Sequence, residues 1–295
     1  MEVKTFSTTQ LEADSEASRV FDRLLDMWLH NRSPHTRRVY LRYVKRFFTW
    51  CAKPLHTVTL ADLQGWQDTL VNSSPNSQRL AITAVKSLLS FTYSIGITTV
   101  NVGMGVRTPP FKDTLNEKYL TEMEVATLIG MEPNLRNQAL LLLLYAGGFR
   151  VSEICTLTWK DLNTRDDAGQ VTVFGKGGRT RTVLLPANVW EKLNQIRGKA
   201  DDNAPVFSSR QKDINGKGLD PSWVYRIVQK AAKRAGIKKK VSPHWLRHAH
   251  ASHSLERGAP LHLVQETLGH TNVATTSKYL HARPNTSSSL YLPLS

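Results

Sequence analysis

The sequence predicts a mainly α protein with one small antiparallel β-sheet, divided into two domains. Three observations carry that expectation. Apolar residues recur at helical spacing through most of the first hundred residues and again after residue 120. Residues 157–186 alternate instead and are rich in Val and Thr, the pattern of short strands. Between the helical regions periodicity stops, in V-G-M-G-V-R-T-P-P-F-K-D-T-L-N-E-K-Y over residues 102–119. A chain of 295 residues exceeds the usual length of one domain, which agrees with that break.

Residues 1–14 are polar, with Ser and Thr prominent, and are read as a flexible N-terminus. Over 15–30, Val20, Leu24, Leu25 and Trp28 mark a first helix. Ser33-Pro34 then gives a start signal, with Ser as N-cap and Pro in the first helical position. The helix it opens runs to about Ala52, with Tyr40, Tyr43, Val44, Phe47 and Phe48 on its apolar side. A shorter helix begins near Leu60, and a fourth runs from about Ser77 to Ser94. The result is an all-α domain over 15–105, followed by a linker at 106–118. The second domain, 119–283, opens at Thr121-Glu-Met-Glu124, a capping box ahead of Val125, Leu128 and Ile129. Its helices are interrupted by a three-stranded meander over 157–186. The breaks fall at Asp166-Asp167-Ala-Gly169 and at Gly175-Lys176-Gly177-Gly178. Residues 284–295 form a separate tail.

The net charge of +15, from 39 Lys and Arg against 24 Asp and Glu, calls for a polyanionic partner, and nucleic acid suits it best. The excess is spread, 13 basic against 8 acidic residues in 1–111 and 26 against 16 beyond, so a protein that embraces its ligand fits better than a basic tail. Cys51 and Cys155 are too few for a disulfide framework or a four-ligand zinc site, which fits a reducing compartment. The N-terminus shows no secretory signal. The longest apolar run, Ala139 to Ala146, is far short of the ~20 residues of a membrane span. A cytoplasmic protein without membrane contact is expected.

The chemistry concentrates in H-W-L-R-H-A-H-A-S-H, which holds His244 and Arg247, then Gly269-His270, then Tyr279. Arg150 lies upstream in G-G-F-R-V-S-E-I. Attack on a phosphodiester gathers negative charge on the non-bridging oxygens, and two guanidiniums can clamp them with charge-assisted hydrogen bonds. A phenol with an ordinary pKa near ~10 needs such positive surroundings, and a proton acceptor, to act as nucleophile. His244 and His270 are candidates for proton transfer or hydrogen bonding to the phosphate. Glu153, one helical turn from Arg150, is placed to brace it or a neighbour. Lys176 sits on a glycine-flanked turn, suited to reach a leaving oxygen. The spacing is not that of a P-loop, so no nucleotide cofactor is implied. His244 and His248 have a zinc-like spacing, yet no H-E-x-x-H accompanies them and the nearest downstream carboxylate is Glu256. No metal and no other cofactor is expected, and His248, His250 and His253 are read as packing or solvated residues.

The ordered set Arg150, Lys176, His244-x-x-Arg247, His270 and Tyr279 strongly resembles the tyrosine recombinases, the phage integrase family. The wording of A-G-G-F-R-V-S-E-I, G-K-G-G-R-T-R-T-V-L-L-P and L-G-H-T-N-V-A-T-T-S-K-Y-L-H is close as well, over residues 119–282. Residues 15–105 resemble that family's helical, SAM-like core-binding domain. The resemblance implies an α+β catalytic domain in which Tyr279 attacks the scissile phosphate, giving a 3′-phosphotyrosyl bond and a free 5′-hydroxyl. Arg150, Arg247 and His270 then stabilise the pentacoordinate phosphate, His244 assists proton movement, and Lys176 is the general acid. It also implies a tetramer on two double-stranded DNA sites, with or without a paralogous partner, its two domains closing around the duplex like a C. The family's protomers often dock through a C-terminal helix. Here Pro284, Pro293 and the Ser run argue against a long one, leaving Leu290, Tyr291, Leu292 and Leu294 as a short apolar plug. The absence of an additional arm-type DNA-binding domain before residue 15 resembles the simple Xer-like architecture.

Further DNA contacts are expected from Arg37, Arg38, Arg42, Lys45 and Arg46 on the second helix, and from Lys238, Lys239 and Lys240, which suit phosphate better than bases. Two rival functions stay open on the sequence: a type IB topoisomerase, and a DNA-binding accessory protein without catalysis.

Overall fold

The computed structural model describes residues 19–110, 119–174, 180–209, 216–270 and 276–277. The chain divides into two compact units, Met1–Lys112 and Asp113–Ser295. The first is helical, with α1 over 19–28, α2 at Pro34–Cys51, α3 at Leu60–Thr69 and α4 at Pro75–Ser94. Ser33 caps α2, its hydroxyl accepting from the Thr36 N–H, and Ala52 ends it in the left-handed region at φ 52°. Helix α4 starts two residues before the expected Ser77, because Ser74-Pro75 repeats the Ser-Pro signal and the Ser74 hydroxyl accepts from the Ser77 N–H. Their apolar faces close on Phe47 and Trp66, which meet edge to face at 5.1 Å, with Trp28, Val44, Ile82, Val85 and Leu88 around them.

The second unit is α+β. Helix α5 (Glu122–Gly130) opens with the expected capping box, Thr121 and Glu124 each accepting the other's backbone N–H. Helix α6 (Leu135–Ala146) carries the longest apolar run and buries most of it, at Ala139, Leu140, Leu141, Leu143 and Leu144, with Leu142, Tyr145 and Ala146 half-buried. It packs against α5, α7 (Val151–Thr156), α8 (Ala187–Arg197) and α10 (Pro243–Glu256). Helices α9 (Pro221–Arg234) and α11 (Leu261–Leu268) belong to the same unit. Among the described residues no helix is long and apolar enough to cross a membrane.

The meander forms as β1 (Leu162–Arg165), β2 (Ala168–Phe174) and β3 (Thr180–Leu185), antiparallel in the order β1-β2-β3. Its first break is tighter than expected. Asp166 takes φ 53°, while Ala168 and Gly169 already belong to β2, paired with Arg165 and Thr164. Gly169 is required there by close approach, since a Cβ would lie 2.3 Å from the Trp190 ring of α8. Residues 175–179, including Lys176, lie outside the described residues.

Candidate active site

Four polypeptide segments meet around two glycine carbonyls. Phe149 is buried and Gly148 turns left-handed at φ +56°, which delivers Arg150 to the N-cap of α7. The Arg150 backbone N–H donates to Glu153 Oε2 at 2.7 Å and its Nη1 donates to Glu153 Oε1 at 2.9 Å. Its Nη2 donates to the Gly269 carbonyl at 3.3 Å, across 119 positions of sequence. Gly269 ends α11 at φ +61°, a conformation a side chain would strain.

Arg247 occupies the first turns of α10 and is 1% exposed. Its Nη1 donates to the Gly148 carbonyl, and its Nη2 donates to the Leu268 carbonyl at 2.6 Å and to His270 Nε2 at 3.0 Å. These neutral acceptors orient the guanidinium without cancelling its charge. Because arginine can only donate, His270 Nε2 must accept. The ring proton then resides on Nδ1, which donates to Thr276 Oγ1 at 2.8 Å. Burial, together with the charges of Arg247 and Arg150, pushes the His270 pKa down to about 4, so the ring is neutral at physiological pH. His244, three residues before Arg247 on α10, is exposed, and its ring stacks edge-on against His248 with centroids 4.0 Å apart.

Glu153 is braced from both sides. Arg181 of β3 donates Nη1 and Nη2 to its two carboxylate oxygens, each at 2.8 Å. Burial alone would raise this carboxyl. The Arg181 pair and the Arg150 N–H overcome it and hold the pKa at about 2. Arg181 is a site residue that the motif reading misses, although a signal is present. In T-R-T-V-L-L it alternates in phase with Val183 and Leu185, both buried, so the strand pattern points its guanidinium inward. Thr276 carries no such signal.

The structure thus brings Arg150, Glu153, Arg247 and His270 together, with His244 on the same helix as Arg247. Lys176 and Tyr279 lie outside the described residues, as does the 284–295 tail. His250 and His253 serve packing. His250 Nδ1 donates to the Tyr145 carbonyl at 2.8 Å, and buried His253 bridges the Tyr145 hydroxyl and the Leu120 carbonyl, each at 2.9 Å. Among the described residues no three of His, Cys, Asp and Glu group as a metal site. Of the other basic residues, Arg37 pairs with Asp26, and Arg38 reaches His35 at 3.5 Å. Arg42 lies over the Tyr43 ring at 4.8 Å and, with Arg46, lines a cleft of about 320 Å³. Lys45 is exposed. Lys239 binds the Tyr119 carbonyl at 3.1 Å and lies 3.7 Å from Glu124.

The profile described as "Phage integrase family" matches residues 118–286, and "Phage integrase, N-terminal SAM-like domain" matches residues 22–95. The chain belongs to the phage integrase family. It is 36% identical over 256 residues to the tyrosine recombinase XerA of Pyrococcus furiosus, covering 85% of each chain. It is 32% identical over 275 residues to a tyrosine recombinase of Thermosipho africanus, covering 89% of this chain and 95% of the relative. A crystal structure of XerA recombinase aligns with a TM-score of 0.52 at 28% identity, over 92% of this chain and 96% of the other. A lambda integrase dimer bound to a COC′ core site aligns at 0.73 and 17% identity, over 90% and 96%, and shares the fold.

Proposed function

We infer that this chain is a site-specific DNA recombinase. Membership of the phage integrase family, over both units, carries the reaction class: cleavage and rejoining of DNA through a covalent phosphotyrosyl intermediate. The observation that supports the catalytic assignment best is the convergence of Arg150, Arg247 and His270 on Gly148, Leu268 and Gly269. Two guanidiniums held by backbone carbonyls form a preorganised receptor for a phosphoryl group whose charge rises in the transition state.

In this reading Tyr279 is the nucleophile and yields a 3′-phosphotyrosyl bond. Arg150 and Arg247 clamp the non-bridging oxygens. His270, with its proton on Nδ1, acts on the phosphate through Arg247 by fixing the guanidinium plane. Exposed His244 assists proton movement and Lys176 protonates the departing 5′ oxygen. The 5′-hydroxyl of a partner duplex then attacks the phosphotyrosine, so one phosphodiester replaces another and the phenol is restored. Arg37, Arg38, Arg42, Lys45, Arg46 and Lys238–Lys240 contact the duplex outside the reacting centre. A lambda integrase structure is described as a tetramer bound to a Holliday junction. By that likeness the working unit here is a homo-tetramer on two sites.

The test is a nicked suicide duplex carrying a sequence that the protein traps from fragmented genomic DNA. A covalent adduct and strand exchange are expected, and Tyr279→Phe should lose the adduct while still binding. On a closed circular plasmid carrying the same sequence, relaxation of supercoils without exchange would indicate a topoisomerase, and the absence of any adduct would leave a binding protein.

A further inference from the structure

Arg181 is set apart from Arg150, the other guanidinium that meets Glu153. Its side chain is 11% exposed, against 38% for Arg150. Each of its three nitrogens donates within the protein: Nη1 and Nη2 to the Glu153 carboxylate, and Nε to the Thr267 carbonyl at 2.7 Å. It joins three segments that must be in register, namely β3, the first turn of α7 and the end of α11. The backbone has been left open for it, because a Cβ on Gly269 would lie 3.1 Å from its Cδ.

The charge balance gives this geometry a consequence. Glu153 is buried and ionised, and its Oε1 receives both Arg150 Nη1 and Arg181 Nη1. With Arg150 as its only partner the carboxylate would cancel the charge intended for the phosphate. Two guanidiniums against one carboxylate leave one positive charge in excess, and Arg150 is the more exposed of the two. The paired hydrogen bonds from Arg181 also fix the carboxylate plane, and with it the direction in which Arg150 points.

We propose that Arg181 is a positioning residue for strand cleavage, acting through Glu153 to orient Arg150 and to leave its charge free for the scissile phosphate. The inference rests on the recombinase reading above. It differs from a purely structural role in one way that can be measured. Its loss should matter only while the scissile group is an anion.

The probe is a nicked duplex bearing the trapped sequence, made with either a phosphodiester or a neutral methylphosphonate at the cleavage position. Adduct formation is followed in single turnover, alongside duplex affinity and thermal melting. Arg181→Gln should cleave the phosphodiester roughly 100-fold more slowly, the scale of a displacement of about 1 Å at a reacting centre. Affinity should change little, and cleavage of the methylphosphonate should match the unaltered protein. Arg181→Gln with Glu153→Gln should cleave faster than Arg181→Gln alone, since the carboxylate that neutralises Arg150 is then gone. Should Arg181→Gln fail to fold, Arg181→Lys carries the same comparison. It keeps the charge but not the paired bonds, so a smaller loss is expected, again confined to the phosphodiester. Equal losses on both substrates, or no recovery in the double variant, would overturn the proposal. An unaltered protein that forms no adduct would overturn the recombinase reading, and this inference with it.

Discussion

Arg247 Nη2 donates to His270 Nε2 across 3.0 Å, and that single contact fixes the protonation state of the histidine. A ring nitrogen that accepts from a guanidinium carries no proton. A protonated His270 would present an N–H to an N–H beside a buried cation. His250 of α10 is likewise depressed, to about 4, by burial and in spite of its bond to the Tyr145 carbonyl.

Acid should therefore destabilise the fold. The unfolded chain protonates these rings below their ordinary value of 6.5, whereas the folded chain resists to about 4. Between those limits the unfolded state binds more protons, so stability rises with pH and falls as pH drops from 6.5 toward 4. A tenfold difference in proton affinity between the folded and unfolded chain corresponds to about 1.4 kcal/mol. Glu153 adds a second window. Its carboxyl is held at about 2 against an ordinary 4.5, so its contribution is full above 4.5 and is lost as pH falls toward 2. Melting temperature measured at constant ionic strength should fall from pH 7 to pH 5, and His250→Gln should flatten that slope. A flat profile over this range would contradict the neutral assignment.

Gly148→Ala should damage stability and cleavage together. The residue stands at φ +56°, and an added Cβ would come within 2.7 Å of Leu268 Cδ2 and 2.9 Å of His250 Cδ2. Left-handed strain and overpacking each cost about 1–3 kcal/mol. The Gly148 carbonyl also accepts from Arg247, so any backbone shift moves that guanidinium. Thermal melts should show the loss, and cleavage at a temperature where the variant is folded should fall by roughly 100-fold for a shift of about 1 Å.

Tyr145→Phe should separate packing from chemistry. The Tyr145 hydroxyl donates to His253 Nδ1, while His253 Nε2 donates to the Leu120 carbonyl just ahead of α5. Removing the hydroxyl leaves a buried acceptor unpaired, a cost of about 1–3 kcal/mol. The hydrogen bonds of His253 run to Tyr145 and Leu120 and not to Arg150, Arg247 or His270, so the single-turnover cleavage rate of the folded variant should be unchanged. A rate loss beyond the unfolded fraction would give His253 a part in the reaction.

Most of the fold is legible in the sequence because it rests on local signals. Ser33-Pro34, Thr121 with Glu124, and the Val and Thr alternation each act over a few residues, and the structure shows the corresponding cap or strand. Ser74-Pro75 carries the same signal and sets the true start of α4, ahead of the Ser77 that apolar spacing alone suggests. The brace at Glu153 is legible in part: its partner three residues away is visible, and its partner 28 residues away is not. That second contact depends on β3 lying beside α7 and α11, which helical and strand periods do not encode. The tautomer of His270 is out of reach for the same reason. It is set by Arg247 and Thr276, and only the folded chain says which ring nitrogen each one meets.

Salt dependence tests how the first unit engages DNA. Arg42, Lys45 and Arg46 are exposed on α2, and Arg42 and Arg46 border the cleft with Ser73 and Ser77 near the start of α4. If they meet phosphates, each contact displaces condensed counterions, and affinity falls linearly with salt on logarithmic axes, by about 0.9 per phosphate neutralised. Arg42→Gln and Arg46→Gln should each reduce that slope by about 1 and weaken binding to the trapped sequence and to unrelated duplexes alike. Arg37 is tied to Asp26, so Arg37→Gln should have a smaller effect. Titrations by fluorescence anisotropy at about 50–200 mM salt, on both duplexes, would read all three. A loss confined to the trapped sequence would mean that Arg42 or Arg46 reads a base edge, because a phosphate contact cannot tell one sequence from another.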